Sequence, residues 1–232
     1  LHLSLRRQRQ MCIRDSSSVL FAELNEDDFS KIHSPIDDLR FEANSVIYLQ
    51  GESAEFLYTL REGYIKLLHL NTDGSSRIVR LVMPGDLFGM EALLGDRYTH
   101  TASALSNAHL CRLPKALIAD LGEQSPRLHR QMVKKWGEAL AQSESWFAEL
   151  NTGRIEVRLA RFFLRVAKIS GHMAIAPLFR REDMGLMMDV KFETISRALA
   201  SMAEQGLISN ISRLSIQIPD MEKLKLFSQS GG

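Results

Sequence analysis

Residues 181–207 constrain the fold of this chain more than any other stretch. They read as two short helices joined by a tight turn. The first, over 182–188, is apolar at Met184, at Leu186 or Met187, and at Met188. Asp189, Val190 and Lys191 supply the turn. The second, over 192–205, sets Ile195, Leu199 and Met202 on one face at i, i+4 and i+7. Gly206 comes after its last turn, where a left-handed residue closes a helix. The opposite face carries Glu193, Thr194, Ser196 and Arg197. Those side chains are short, polar and rich in donors and acceptors. Such a face suits a helix lying in a DNA major groove. It also suits an ordinary helical hairpin with a solvated outer side.

The residues after Gly206 separate these two possibilities. Leu207-Ile208 leads to a break at Ser209-Asn210, then to residues 211–218 with alternation at Leu214, Ile216 and Ile218. This order predicts a β-hairpin directly behind the second helix, as in a winged helix. The run Glu193-Thr194-Ile195-Ser196-Arg197, with Gly206-Leu207-Ile208 and a wing behind it, resembles the recognition helix of the Crp/Fnr family of bacterial transcription regulators. Its Glu-x-x-Ser-Arg form is similar to the Fnr branch. The resemblance extends over residues 19–227. It implies an α+β chain with an N-terminal cyclic-nucleotide-binding-like β jelly-roll barrel, a long dimerisation helix and a C-terminal winged helix-turn-helix. It also implies a cytoplasmic homodimer that binds double-stranded DNA, engages RNA polymerase and catalyses nothing. Glu193, Thr194, Ser196 and Arg197, with Lys191 and Arg213, are the implied DNA contacts, and a TTGAT-like palindrome is the implied operator.

Charge distribution points the same way. Residues 151–232 hold 12 Lys+Arg against 8 Asp+Glu, and the remainder holds 17 against 20. A basic C-terminal part on an acidic N-terminal part suits DNA at one end only. Hydrophobic residues at 45% and charged residues at 25% are values of a globular chain rather than a disordered one. No apolar run approaches the roughly 18 residues of a membrane span, so no membrane partner is expected. Two cysteines do not make a disulfide framework and fit a reducing compartment. The expected organisation is a leader over 1–18, a sensor barrel over 19–124, a dimerisation helix over 125–150 and a DNA-binding domain over 151–232.

The leader, LHLSLRRQRQMCIRDS and the two serines after it, shows neither helical nor strand period. It reads as an artefactual translated adapter; the rival reading is a basic, disordered arm. A short helix is expected from Phe21, with Asn25 as an N-cap. Short strands are expected at 40–41, 46–49, 55–62, 64–70, 77–83, 102–105 and 108–113, separated by Gly, Asp and Pro turns such as Pro84-Gly85-Asp86. Regular short strands of this kind predict a jelly-roll or sandwich.

Nucleotide-binding relatives of such a barrel hold ribose and phosphate with a Phe-Gly-Glu segment and an Arg-Ser/Thr-Ala segment. Here the corresponding pocket residues are Gly89, Met90, Glu91, His100 and Thr101. Met90 stands for the glutamate and His100 for the arginine, while Glu91 and Arg97 are displaced along the chain. A cyclic phosphate needs a fixed cation, so cyclic AMP is not expected to bind. A jelly roll also raises a cupin-like metal enzyme as an alternative. Its His-x-His pair is missing: His69, His100 and His109 are isolated.

Cys111 lies in Leu110-Cys111-Arg112-Leu113-Pro114, where the resemblance places an internal iron–sulfur ligand of oxygen-sensing Fnr proteins. A cubane cluster needs four thiolates, and Cys12, the other cysteine, falls in the leader. A cluster is expected only if the native gene supplies further N-terminal cysteines. Otherwise Cys111 is a small apolar core residue, and the chain as it stands carries no cofactor.

Ser125 and Pro126 predict a helix start, and the helix is expected to reach Leu150. Met132, Trp136, Ala139, Ser143, Trp146 and Leu150 have coiled-coil spacing and are the expected dimer seam. Val133, Leu140 and Phe147 form a second apolar line beside it. One line can dock on the chain's own barrel, and the other then needs a second subunit; the alternative is a helix buried wholly within one chain. Asn151-Thr152-Gly153 breaks the helix, and a further helix is expected over 154–170.

Overall fold

A computed structural model describes residues 36–124, 126–170 and 173–229. The expected leader, the helix from Phe21, Asn25, Cys12 and the Ser125 cap lie outside the described residues. The described residues divide into two compact units, one up to Gln142 and the other from Ser143 onward.

The first unit is the expected barrel. Its strands are β1 (Asp37–Phe41), β2 (Val46–Tyr48), β3 (Phe56–Glu62), β4 (Ile65–Leu70), β5 (Ser76–Val82), β6 (Leu87–Phe88), β7 (Thr101–Ala104) and β8 (Ala108–Pro114). They form two antiparallel four-stranded sheets, ordered β1-β8-β3-β6 and β2-β7-β4-β5. Leu57, Leu60, Ile65, Val82, Phe88, Leu110 and Leu113 are buried together in the core. The turn before β4 requires glycine. Gly63 has φ +87, and a Cβ there would stand 2.2 Å from the Asn107 carbonyl oxygen.

Two helices come next. The strand-and-turn pattern does not anticipate α1 (Lys115–Gln124), which drops Leu117 and Ile118 into the barrel core. The long helix α2 (Pro126–Leu150) has the expected bounds. Pro126 opens it, where a missing N–H costs nothing.

The second unit holds α3 (Ile155–Val166), β9 (Lys168–Ser170), β10 (Met173–Pro177), α4 (Arg181–Met188), α5 (Phe192–Glu204), β11 (Ser215–Ile218) and α6 (Met221–Gln229). The helix expected over 154–170 stops at Val166, because the chain then turns into a sheet ordered β11-β10-β9. The expected local hairpin over 211–218 is corrected too. Only residues 215–218 form a strand, and their ladder partner is β10, from before the helix pair. On the other side one bridge joins Ser209 to Gln217. Ile216 and Ile218 are buried, but Leu214 is 77% exposed, because it lies beyond the ladder in a turn. Ser212 closes that turn by accepting from the amides of Leu214 and Ser215 through its Oγ.

Candidate nucleic-acid interface

α4 and α5 meet through a tight turn, as the sequence predicts. Met184, Met187 and Met188 are buried in α4, so Met187 rather than Leu186 completes its stripe. Asp189 adopts φ 51 beyond the last turn, a left-handed conformation that Asp tolerates. Gly185 lets the two helices close. A Cβ there would stand 2.6 Å from the Val190 carbonyl oxygen, and the Val190 amide donates to the Gly185 carbonyl at 3.1 Å.

α5 is held by one face and displays the other. Ile195, Ala198, Leu199 and Met202 are buried. Lys191, Phe192, Glu193, Ser196 and Arg197 are exposed, and Thr194 is half-buried. Each turn of the helix therefore adds to one outward stripe. The Ser196 hydroxyl donates to the Phe192 carbonyl at 3.1 Å, which leaves its lone pairs outward. Glu193 lies in the first turn, where the helix dipole favours a carboxylate. Arg213 is exposed at the wing turn. The structure thus brings Glu193, Ser196 and Arg197 onto one solvent-facing surface and sets Thr194 at its edge. Phe192, which the polar pattern of the sequence does not single out, is the large apolar side chain at the head of the same stripe.

In the barrel, the expected pocket residues serve the chain itself. Met90 packs against the core. The Thr101 hydroxyl accepts from the Gln50 amide at 3.0 Å. His100 Nδ1 lies 2.9 Å from Thr99 Oγ1 and 3.8 Å from Glu91 Oε1. Burial raises the Glu91 carboxyl, but the contact with His100 and backbone hydrogen bonds outweigh it, and its pKa ends below the ordinary value. Arg97 donates to the Gly51 carbonyl at 2.6 Å, so the displaced arginine is spoken for.

Aromatic rings occupy the interior beside these residues. Tyr48 stacks on Tyr98 with centroids 3.7 Å apart, and on Tyr58 and Phe88 at 5.6 and 6.2 Å. Burial and the nearby Glu91 charge push the Tyr48 phenol well up, so it stays protonated. Arg80, likewise not singled out by the sequence, donates to the Leu87 carbonyl at 3.2 Å and lies 3.8 Å from Asp86. A strand over 77–83 is legible in the sequence, but the carboxylate that Arg80 meets beyond the next turn is not.

Comparison with known proteins agrees with this geometry. Residues 38–125 match the family model of the cyclic nucleotide-binding domain, and residues 157–227 that of the Crp-like helix-turn-helix domain. The transcriptional regulator LdrP of Thermus thermophilus is 35% identical over 166 residues, covering 71% of this chain and 78% of the relative. The chain belongs to the Crp/Fnr family of transcription regulators. The anaerobic regulatory protein of Pasteurella multocida is 27% identical over 207 residues, covering 87% of this chain and 76% of that one. A Crp-family transcriptional regulator from Thermus thermophilus superimposes with TM-score 0.71 at 27% identity, covering 83% of this chain and 97% of that structure. FixK2 of Bradyrhizobium japonicum shares the fold, with TM-score 0.75 at 21% identity over 86% of this chain and all of that structure (100%). This Crp/Fnr chain carries a DNA-binding helix-turn-helix domain, and its relatives are regulators rather than enzymes.

The long helix of this Crp/Fnr regulator requires a correction. Trp146 and Leu150, expected in the dimer seam, are 6% and 1% exposed. Trp146 meets Phe162 edge-on at 6.0 Å and lies under the Arg165 guanidinium. Met132 packs on the barrel core, and Trp136, Ala139 and Ser143 are half-buried. The other line, Val133, Leu140 and Phe147, is 52%, 61% and 68% exposed. Spacing identifies two stripes; within the chain, packing takes up Met132, Trp146 and Leu150 of the first.

Cys111 is 2% exposed within the barrel core, paired across strands with Thr59 and Asp38. Among the described residues, no three His, Cys, Asp or Glu side chains stand together as a metal site. Nor is any described helix long and apolar enough to cross a membrane.

Proposed function

We propose that the protein is a homodimeric regulator that reads a palindromic operator, of TTGAT-like half-site, through α5. The observation that carries this reading is the single outward stripe of Glu193, Ser196 and Arg197 on a helix whose other face is buried. Arg197 donates twice to a guanine edge. Glu193 accepts from a cytosine or adenine amino group, and Ser196 adds a base or phosphate contact. Lys191, Thr194 and Arg213 steady the domain on phosphates, which sets register rather than sequence. Two copies related by a two-fold would meet successive major grooves about one helical turn apart. Val133, Leu140 and Phe147 are the line that a second α2 would cover. RNA polymerase is the partner through which such a regulator acts, in the cytoplasm.

The barrel acts without cyclic AMP in this reading. In support of this reading, Met90 packs on the core and His100 lies beside Glu91, at the two places where the nucleotide-binding pattern has a glutamate and an arginine. Selection of bound duplexes from a random library with the full-length protein tests the proposal. Inverted half-sites with a fixed guanine are expected. Recovery of unrelated, asymmetric sequences would overturn it.

A further inference from the structure

We infer that Gln142 and Asp86 form a latch that keeps α2 straight, and that Arg80 is the competitor that releases it. The inference rests on the reading of the chain as a dimeric, operator-binding regulator. Asp86 is presented on a fixed turn. Its amide donates to the Met83 carbonyl at 2.9 Å, and its carbonyl accepts from the Leu60 amide at 3.0 Å. One carboxylate oxygen, Oδ2, faces three donors: the Met83 amide at 2.9 Å, Gln142 Nε2 at 3.4 Å and Arg80 Nη2 at 3.8 Å. The first is a bond of ordinary length and the other two are long. A carboxylate oxygen has two lone-pair sites, and the Met83 amide takes one. Arg80 and Gln142 contend for the other. Both have capacity to spare: Arg80 Nε and Gln142 Oε1 are buried without a partner among the described residues.

The place of Gln142 gives this contest its consequence. It is the last residue of the first unit, and Ser143 opens the second. Downstream, α3 grips the end of α2. Trp146 meets Phe162, Arg165 Nη1 donates to Ser145 Oγ at 3.1 Å, and Arg158 donates to the Leu150 carbonyl. The break after Leu150 is tied as well, because Thr152 Oγ1 donates to the Ala148 carbonyl at 2.7 Å and Asn151 Nδ2 to the Phe147 carbonyl at 2.9 Å. The point that yields therefore lies inside the helix. Gly137 sits there, between Met132 on the barrel core and Gln142 on Asp86. A Cβ on Gly137 would meet nothing within 4 Å, so packing does not ask for glycine. Glycine in a helix interior loosens it. With the latch closed, the two anchors straddle Gly137 and hold α2 straight, which preorganises the chain for its operator. With the latch open, α2 bends at Gly137. The Arg80 side chain is 11% exposed and feels the charges of Tyr48 and Glu91, so a change of charge in the barrel interior moves the competitor.

Two substitutions of opposite sign test this in the full chain. Gln142→Glu sets a like charge against Asp86, and Gln142→Lys sets an opposite one. Hydrogen–deuterium exchange followed by mass spectrometry reads the helix. Amides 137–146 should exchange about tenfold faster in Gln142→Glu, the loss of one charge-assisted bond, and more slowly than the parent in Gln142→Lys. Strands β3 and β8 should keep the parental rates in both. Affinity for the selected palindrome should fall in Gln142→Glu and be kept in Gln142→Lys. Adding Gly137→Ala to Gln142→Glu should suppress the acceleration. Arg80→Gln, which leaves the oxygen to Gln142, should slow exchange over 137–146. A merely structural Gln142 would make both substitutions accelerate exchange alike; that result overturns the inference, as does a helix that neither one moves. Faster exchange in Arg80→Gln overturns the role of Arg80 as competitor. Failure of the underlying reading is distinct: the parent would then select no palindrome, whatever the exchange rates, which are measured without DNA.

Discussion

Arg158 donates through Nε to the carbonyl oxygen of Leu150, the last residue of α2. Through Nη2 the same guanidinium donates to the Met188 carbonyl, at the end of α4. One buried cation thus satisfies the terminal carbonyls of two helices, where the helix dipoles favour positive charge. Arg161 adds bonds to the carbonyls of Glu149 and Thr152 at 3.1 Å. Arg158→Gln should cost about 1.5–3 kcal/mol for each charge-assisted bond lost, read as a lowered denaturation midpoint. With the helix pair no longer pinned to the end of α2, the protein should also accept operators of altered half-site spacing. Unchanged spacing selectivity in a folded variant would show that Arg158 only stabilises.

Arg197→Ala should weaken operator binding by about 1–3 kcal/mol and relax the preference for G·C at one position of each half-site. Fluorescence anisotropy against a panel of single-base variants measures both. A mutant that ranks the panel as the parent does would remove Arg197 from base reading.

Leu140→Glu with Phe147→Glu should yield a monomer in sedimentation that has lost operator affinity but keeps its native circular dichroism, because both side chains are exposed within the chain. Trp146→Ala should behave differently. It should lower the stability of the second unit by about 3–5 kcal/mol, since a buried ring is removed. A parent that is monomeric at micromolar concentration would sink the dimer.

Calorimetric titration with cyclic AMP should show no saturable heat, and the nucleotide should leave DNA affinity unchanged. Losing two charge-assisted contacts lowers affinity by a factor of order 10² to 10⁴. Micromolar binding would mean that Glu91 abandons His100 for the ribose.

Glu91 carries the pH prediction. Its carboxyl is depressed in the fold, so its contribution is present above its unfolded pKa, about 4.3, and is lost as pH falls through the lower folded value. Barrel stability should therefore decline on acidification below about pH 4.3. Glu91→Gln should flatten that part of the curve; a parallel curve would assign the decline to other carboxylates.

Much of this molecule is determined by local pattern. The succession of 3.6-residue stripe, turn and Gly206 specifies α4 and α5, because an amphipathic helix needs only its own sequence to declare its faces. Strand positions in the barrel are set by turn residues for the same reason. The outward stripe of Glu193, Ser196 and Arg197 is therefore legible before any fold. Tertiary structure decides which partner each face meets. The strand at 215–218 pairs with β10, some forty residues upstream, rather than with a local hairpin. The 4-3 line of α2 packs on the barrel core at Met132 and on Phe162 at Trp146, leaving Val133, Leu140 and Phe147 outward. Arg158 joins two helix ends that lie far apart in sequence. Periodicity states that a surface must be buried; only the packing of distant segments states against what.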